Sequence, residues 1–573
     1  MERASITERW QRAAASPLFA YLIAAPLVLV LWGYVVQPLL ATFIASLKAP
    51  EGGLTLANYR DFFRLNSASF EALFTSLYIS VLSVFTCGLV GVGMALLLHR
   101  FDFPGRRLIE VLALVPMALP PLIGTYAFMF LYSESGIIPR GLQVLLDLPA
   151  PPFALKGIWG VLVVHTFTMY PYFYTSTAAA LQGLDPSLEE AAANLGANRL
   201  QVWARVLLPL ITPALVAGSL LVFMVSMASY TAPLIFGVDR TMTMQITIAR
   251  TNGNLSLASA QSTVLAVVSV AFLIAMRWYQ GRRTYRSVSK GVSRHRQEVR
   301  SPVGLTAAMV AAALGALILL APIITLALVS FSKDGSWTVQ VLPPEYTFEN
   351  YLRIFQEPRS WRPIRSSLQM SALGTLAAAL FGVAAAYALA RLRLRGKALL
   401  DIAVMLPWAL PGTVVAINLI AAFNQPSVFS LGRVLVGTFW ILPLAYFVRF
   451  SPLLFRSSTA ALAQLDPSLE EAARSLGASW WYSFRRVTLP LIAPGILAGA
   501  LLSFVHGVGE FVASVLLYTP RNVPISVEIN NRMYGFQFGT AAAYGMLQVM
   551  LILVVLLISQ RLQRGAETGP PVT

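Results

Sequence analysis

The chain has 573 residues, 57% apolar and 12% charged, about half the charged share of a soluble domain, which excludes an ordinary soluble protein. Its net charge of +17 would suit a nucleic-acid binder, but the basic residues gather in short loops between apolar runs: Arg100 to Arg107, Arg277 to Arg300, Arg391 to Lys397, and Arg561 with Arg564. That is the positive-inside pattern of a membrane protein and implies no nucleic-acid partner.

The first apolar run, Leu18 to Leu47, carries no Asp, Glu, Lys, Arg or His and is far longer than the core of a secretory signal, so it reads as a retained membrane helix. Five further runs follow before residue 281, giving spans near 18–47, 72–98, 108–133, 157–181, 210–232 and 257–279. A polar linker with seven Lys/Arg against one Glu runs from Gly281 to Arg300. Six more spans are expected near 303–331, 366–390, 399–424, 433–457, 491–516 and 538–560. The predicted organisation is a first half over 1–280, a cytoplasmic linker over 281–303 and a second half over 304–573. Basic loops at these intervals place both termini in the cytoplasm. Pro116, Pro120, Pro121, Pro407 and Pro411 fall inside spans, where neighbouring helices or cavities satisfy the freed backbone groups.

The halves are copies. Leu-Asp-Pro-Ser-Leu-Glu-Glu-Ala-Ala at 184–192 recurs unchanged at 465–473, an offset of 281 that persists through Gly196/Gly477, Pro209/Pro490 and Pro213/Pro494. Upstream, Asn58-Tyr59 matches Asn350-Tyr351, Arg100 matches Arg391 and Gly105 matches Gly396. Two copies of six spans in one orientation make a parallel duplication, with a pseudo-twofold along the membrane normal and a substrate path between the halves.

The repeated loop lies between the fourth and fifth spans of each half. Asp185 and Asp466 are N-cap residues followed by proline. Glu189, Glu190, Ala191 and Ala192, like Glu470, Glu471, Ala472 and Ala473, favour the helix that follows, and Gly196 or Gly477 lets the chain turn out of it. Small alanines would let another protein approach, with the acids and Arg199, Arg205, Arg485 and Arg486 as a charged rim. No Gly-x-x-x-x-Gly-Lys-Ser/Thr phosphate loop occurs, and Gly396-Lys397 is followed by Ala398.

The pattern Glu-Ala-Ala, three residues, Gly, nine residues, then Val-Leu-Leu-Pro or Val-Thr-Leu-Pro resembles the EAA loop of bacterial ABC importer permeases. The resemblance implies an all-α integral membrane fold with about twelve transmembrane helices in two parallel six-helix repeats, MetI-like, with each first span wrapped on the opposite half. It implies a bacterial inner-membrane transport subunit that is not an enzyme and carries no cofactor. The expected partners are two separate ATP-hydrolysing subunits docked on the loops, an extracytoplasmic substrate-binding protein and the lipid bilayer. Segments 48–71, 134–156, 233–256, 332–365 and 518–537 would form the platform for the binding protein. A secondary transporter of the major-facilitator type also has six plus six spans, but nothing in that class accounts for the paired loops.

Ionisable groups at membrane depth are costly and each needs an account. Glu110 and Asp401 sit near Arg107 and Lys397 and read as interfacial ion pairs. Arg449 and Arg456 can snorkel to the surface, and no site is assigned to them. His506 and Glu510 are spaced i,i+4 on the eleventh span, Glu510 is matched by Ser229 in the first half, and His165 lies near Tyr170, Tyr172 and Tyr174. Glu510, His506, Ser229 and His165 are therefore candidates for the translocation path, with helix packing as the competing reading. Cys87, the one cysteine, excludes cysteine-ligated metals, and the four histidines form no metal-ligand spacing; metal binding is left open. Fusion of both halves, with the stretches Gly509 to Tyr518 and Asn522 to Glu528, resembles the ferric-iron branch of these permeases. Thiamine, phosphonate or polyamine remain alternatives as cargo.

Overall fold

The computed structural model describes residues 17–49, 52–185, 187–282, 297–298, 301–337, 340–392 and 394–567. Eight helices among them are long and apolar enough to cross a membrane, from Tyr21–Ser46 to Phe538–Arg561. Two bent pairs, Arg106–Met117 with Pro121–Leu145 and Lys397–Ala409 with Gly412–Phe423, bring the count to ten. Gly157–Gln182 and Ile441–Gln464, 26 and 24 residues long and less apolar, lie where the fourth span of each half is expected. Apart from a two-residue parallel pairing of Phe101–Asp102 with Gln297–Glu298, no strand occurs among the described residues. That pairing brings the linker to the basic loop after the second span; most of the expected linker lies outside the described residues.

The third spans, expected near 108–133 and 399–424 with prolines inside them, are both broken, each through 109°. A residue before proline is driven out of the helical region, and Leu119 and Leu410 take ψ of 126° and 132° ahead of Pro120 and Pro411. The fifth spans begin earlier than expected, at Leu200 and Trp480, and stop at Met227 and Val508. Each carries a π-turn, Trp203–Leu207 and Phe484–Thr488, ending two residues before Pro209 or Pro490. Proline has no N–H for the ordinary ladder and its ring crowds the carbonyl four residues back, so the helix widens there. The tenth span starts at Ile441 and not near 433. Ser427 and Ser430 close a capping box and Leu431 adopts φ 53°, so 424–440 is a connection.

The duplication extends to individual hydrogen bonds. Asn58 Nδ2 donates to the Ser46 carbonyl at 2.8 Å and Tyr59 Oη meets Ser46 Oγ at 2.7 Å. In the second half Asn350 Nδ2 donates to the Ser330 carbonyl at 2.9 Å and Tyr351 Oη to Ser330 Oγ at 2.7 Å. The Asn-Tyr pair is thus a clamp that ties the end of each first span to the short helix after it.

The halves are interleaved. One buried core joins spans two to five of the first half to Leu319, Leu326 and Val329 of the second half's first span and Ala541–Val549 of its last. The other joins the second half's equivalent spans to Leu27, Leu31 and Val35 of the first span and Ala258, Leu265 and Ala266 of the sixth. Each core is therefore completed by the outer helices of the other copy, so neither half buries its apolar faces alone.

Candidate functional site

The two repeated loops form short helices, Ser187–Asn194 and Pro467–Ser475. Asp185 Oδ1 accepts from the Ser187 N–H and Asp466 Oδ1 from the Ser468 N–H, both at 2.9 Å, the N-caps the spacing predicts. The Ser468 N–H holds the Asp466 carboxyl below its usual range. This cap contributes fully above the unfolded pKa and is lost as pH falls through the folded value.

Gly196 and Gly477 have φ of 86° and 89°, and the Ala197 and Ala478 N–H groups reach back to Ala192 and Ala473, closing Schellman turns. A Cβ at either glycine would meet nothing within 4 Å. The constraint is the left-handed backbone and not bulk. Replacing either by Ala should cost about 1–2 kcal/mol, Val should cost more, and Asn, which tolerates this conformation, should retain most coupled ATPase activity. Thermal melting with ATPase assays would check the order.

The acids do not all form a rim. Glu470 is 3% exposed and points inward. Its Oε1 meets Arg391 Nε at 3.3 Å and accepts from Thr488 Oγ1 at 2.9 Å, while Oε2 meets Arg474 Nη2 at 3.4 Å. Arg391 Nη2 also donates to the Leu465 carbonyl at 3.0 Å. In the first half Arg100 Nη2 faces Glu189 Oε2 at 3.9 Å. The first glutamate of each pair thus straps the loop helix to the end of the second span, with Arg100 or Arg391 as its counterpart. Glu190, Ala191, Glu471 and Ala472 are exposed, and Ala192 and Ala473 half-buried.

Leu195 and Leu476, equivalent positions, are each 89% exposed, and Leu188 and Leu469 in the first turn of each loop helix are exposed as well. Matched leucines in open solvent at the tips of two charged helices form paired apolar patches that call for a cover. Their signal in the sequence is the place just ahead of each glycine, Leu195-Gly196 and Leu476-Gly477.

His165 and Ser229 are brought together. His165 Nε2 lies 2.8 Å from Ser229 Oγ and Nδ1 lies 2.9 Å from Ser83 Oγ, so the imidazole is buried and satisfied at both nitrogens. His506 and Glu510 are not paired as expected. The helix ends at Val508, His506 stacks on Phe450 with ring centroids 5.7 Å apart, and Glu510 Oε2 instead meets Arg449 Nε at 3.1 Å. Glu510 Oε1 accepts the Ala513 N–H at 2.8 Å. Arg449 therefore does not snorkel free; it neutralises the buried carboxylate. Glu110 pairs with Arg106, not Arg107, and Lys397 donates to the Leu389 carbonyl at 2.7 Å.

Both turns after the fifth span are anchored alike. Thr243 Oγ1 donates to the Ser229 carbonyl at 2.7 Å, and Ser526 Oγ to the Glu510 carbonyl at 2.8 Å. A hydroxyl from the following segment anchors each turn, and the residue whose carbonyl is held differs: Ser229 in one copy, Glu510 in the other.

Comparison with known proteins agrees with this architecture. Residues 87–284 and 378–568 each match the family described as "Binding-protein-dependent transport system inner membrane component". The "Probable ABC transporter permease protein y4fN" of Sinorhizobium fredii is 30% identical over 505 residues, covering 86% of this chain and 88% of that protein. The "Ferric transport system permease protein FbpB" of Actinobacillus pleuropneumoniae is 28% identical over 93% of this chain and 76% of its own length. The "Putative 2-aminoethylphosphonate transport system permease protein PhnV" of Salmonella paratyphi A is 30% identical over 47% of this chain. With its doubled domain, multi-pass helical fold and interleaved halves, the chain belongs to the binding-protein-dependent transport system inner membrane components, as a two-repeat ABC transporter permease.

Proposed function

We propose that this permease imports ferric iron delivered by an extracytoplasmic binding protein, driven by ATP hydrolysis on two separate subunits docked on the 185–196 and 466–477 loops. The observation that carries the docking role is the matched pair of exposed tips, Leu195 with Glu190 and Leu476 with Glu471. An apolar knob beside a carboxylate suits a groove with a basic rim. The strap from Glu189 or Glu470 to the second span gives each docked helix a stiff connection into the bundle.

Ferric iron is favoured because two relatives named for ferric transport match 93% and 86% of this chain, whereas the phosphonate relative matches one half. Ferric iron is cargo here, and a hard cation of this kind prefers oxygen ligands. Phosphonate is the second reading, on the strength of the 30% identity to PhnV.

The test is reconstitution in proteoliposomes with the cognate binding protein and ATPase subunits. Expected is ATP-dependent accumulation of radioactive ferric iron that excess unlabelled ferric iron suppresses and 2-aminoethylphosphonate does not. Uptake of the phosphonate with none of iron would transfer the assignment. Accumulation undiminished without the binding protein, or no copurification of ATPase subunits, would sink the coupling reading.

A further inference from the structure

The 281-residue offset that relates the loops also relates Ser229 to Glu510 and Tyr230 to Phe511. The last two, equivalent positions carried by different halves, touch each other: their ring centroids are 6.0 Å apart and tilted by 37°. Equivalent residues of a twofold arrangement can meet only where the axis passes between them. The Tyr230–Phe511 contact therefore marks the pseudo-twofold axis.

Other contacts place this level at the seam. A Cβ at Gly509 would lie 3.6 Å from Pro120, at the break in the first half's third span. Tyr126 Oη donates to Asn530 Oδ1 at 2.8 Å across the two halves. Tyr230 and Phe511 are only 4% and 3% exposed, so the axis is shut here by aromatic carbon. On the flanks stand the His165–Ser229 hydrogen bond and the Arg449–Glu510 ion pair. Each ring follows directly on a residue whose carbonyl is pinned by Thr243 or Ser526, which fixes the backbone that carries it.

We propose that Tyr230 and Phe511 form the constriction of the translocation path, an aromatic pair that closes the axis in this conformation and that a hydrated ionic cargo must part. The assignment rests on the reading that cargo passes between the halves. A pair of buried, tilted rings in contact across the axis excludes water from the gap, so hydrated ions are stopped without a charged barrier. The polar groups on either side then meet the cargo above or below the seal and not within it.

The first arm of the test uses the full chain in proteoliposomes, with no ATP, ATPase subunit or binding protein, and potassium flux as the probe. It therefore does not depend on which cargo is imported or whether the loops couple. Tyr230→Ala with Phe511→Ala should raise passive potassium leak about tenfold, the change expected from losing one aromatic contact's bias toward the closed state. Phe223→Ala is the control, since Phe223 stacks on Phe272 at 3.9 Å in a buried core away from this contact. A second arm places cysteines at 230 and 511 on a Cys87→Ala background. A short bifunctional thiosulfonate, long enough to span the gap the two rings fill, should link them and stop uptake in the reconstituted importer, and reduction should restore it. Leak in the double variant no greater than in wild type or the Phe223 control would overturn the assignment. So would failure of the cysteines to cross-link, or a cross-linked permease transporting at the uncross-linked rate.

Discussion

Charge reversal at Glu470 should unseat the second loop helix and abolish transport, whereas reversal at its neighbour Glu471 should abolish transport in a permease that melts like wild type. Glu470 is buried against Arg391, Arg474 and Thr488. Removing one member of such a pair leaves the other charge desolvated and unmatched, a loss of about 3–5 kcal/mol. An arginine there adds repulsion with Arg391 and Arg474. Glu471 is exposed, and a change at an exposed site away from special features moves stability within about ±0.5 kcal/mol. What it removes is a carboxylate at the face proposed to meet the ATPase. Thermal melting in detergent, read beside copurification of the ATPase subunit, separates the two cases. Equal melting shifts for Glu470→Arg and Glu471→Arg would remove the strap from the account; undisturbed copurification and uptake in Glu471→Arg with Glu190→Arg would remove the docking face. The first half should respond more weakly. Thr488 and Arg474 are replaced there by Leu207 and Ala193, which cannot supply the same two donors.

The number and order of the spans could be read from charge-free runs because a membrane core penalises charge over a length that a helix must cover. Their internal breaks could be read only as possibilities. Pro407 sits inside the helix Lys397–Ala409, whereas Pro411, four residues later, ends it. The difference is set by what packs around each, which sequence does not carry. The loop caps and the glycine turns were local and came out as predicted. Which glutamate of the pair points inward was not local. Neighbouring residues on a helix point about 100° apart, and only the placement of Arg391 from the second span decides that Glu470 is the buried one. Glu510 shows the same limit. Its visible neighbour in sequence was His506, but the partner that the fold supplies is Arg449, on another span, 61 positions away. Inside a membrane, compensation for a charge is a tertiary property.

Arg449→Ala should be more damaging than Arg449→Ala combined with Glu510→Gln, and this is the second large effect. The guanidinium lies against Glu510 at 3.1 Å and over the Phe450 ring, its Cζ 5.8 Å from the centroid. It also fits against Gly412, the first residue after the Pro411 break: a Cβ at 412 would come within 1.9 Å of Arg449 Nη1. The sharp bend in the third span therefore makes the space in which the guanidinium rests. Taking Arg449 away strands a carboxylate that is 6% exposed, and the loss should again be about 3–5 kcal/mol. Neutralising Glu510 in the same chain should return most of it, because its other carboxylate bond, from the Ala513 N–H, can be made by a glutamine oxygen. Glu510→Gln alone leaves the arginine uncompensated and should lower stability as well as uptake, so a fall in transport by that variant alone would not identify a cargo ligand. The double variant does. With the fold restored, a persisting loss of ferric uptake beside normal ATP hydrolysis assigns the pair to the path, and recovered uptake assigns it to packing. Gly412→Ala should reproduce the Arg449 defect with both charges present, since it displaces the guanidinium by sterics alone. If Gly412→Ala and Arg449→Ala both melt and transport like wild type, the ion pair contributes nothing to either.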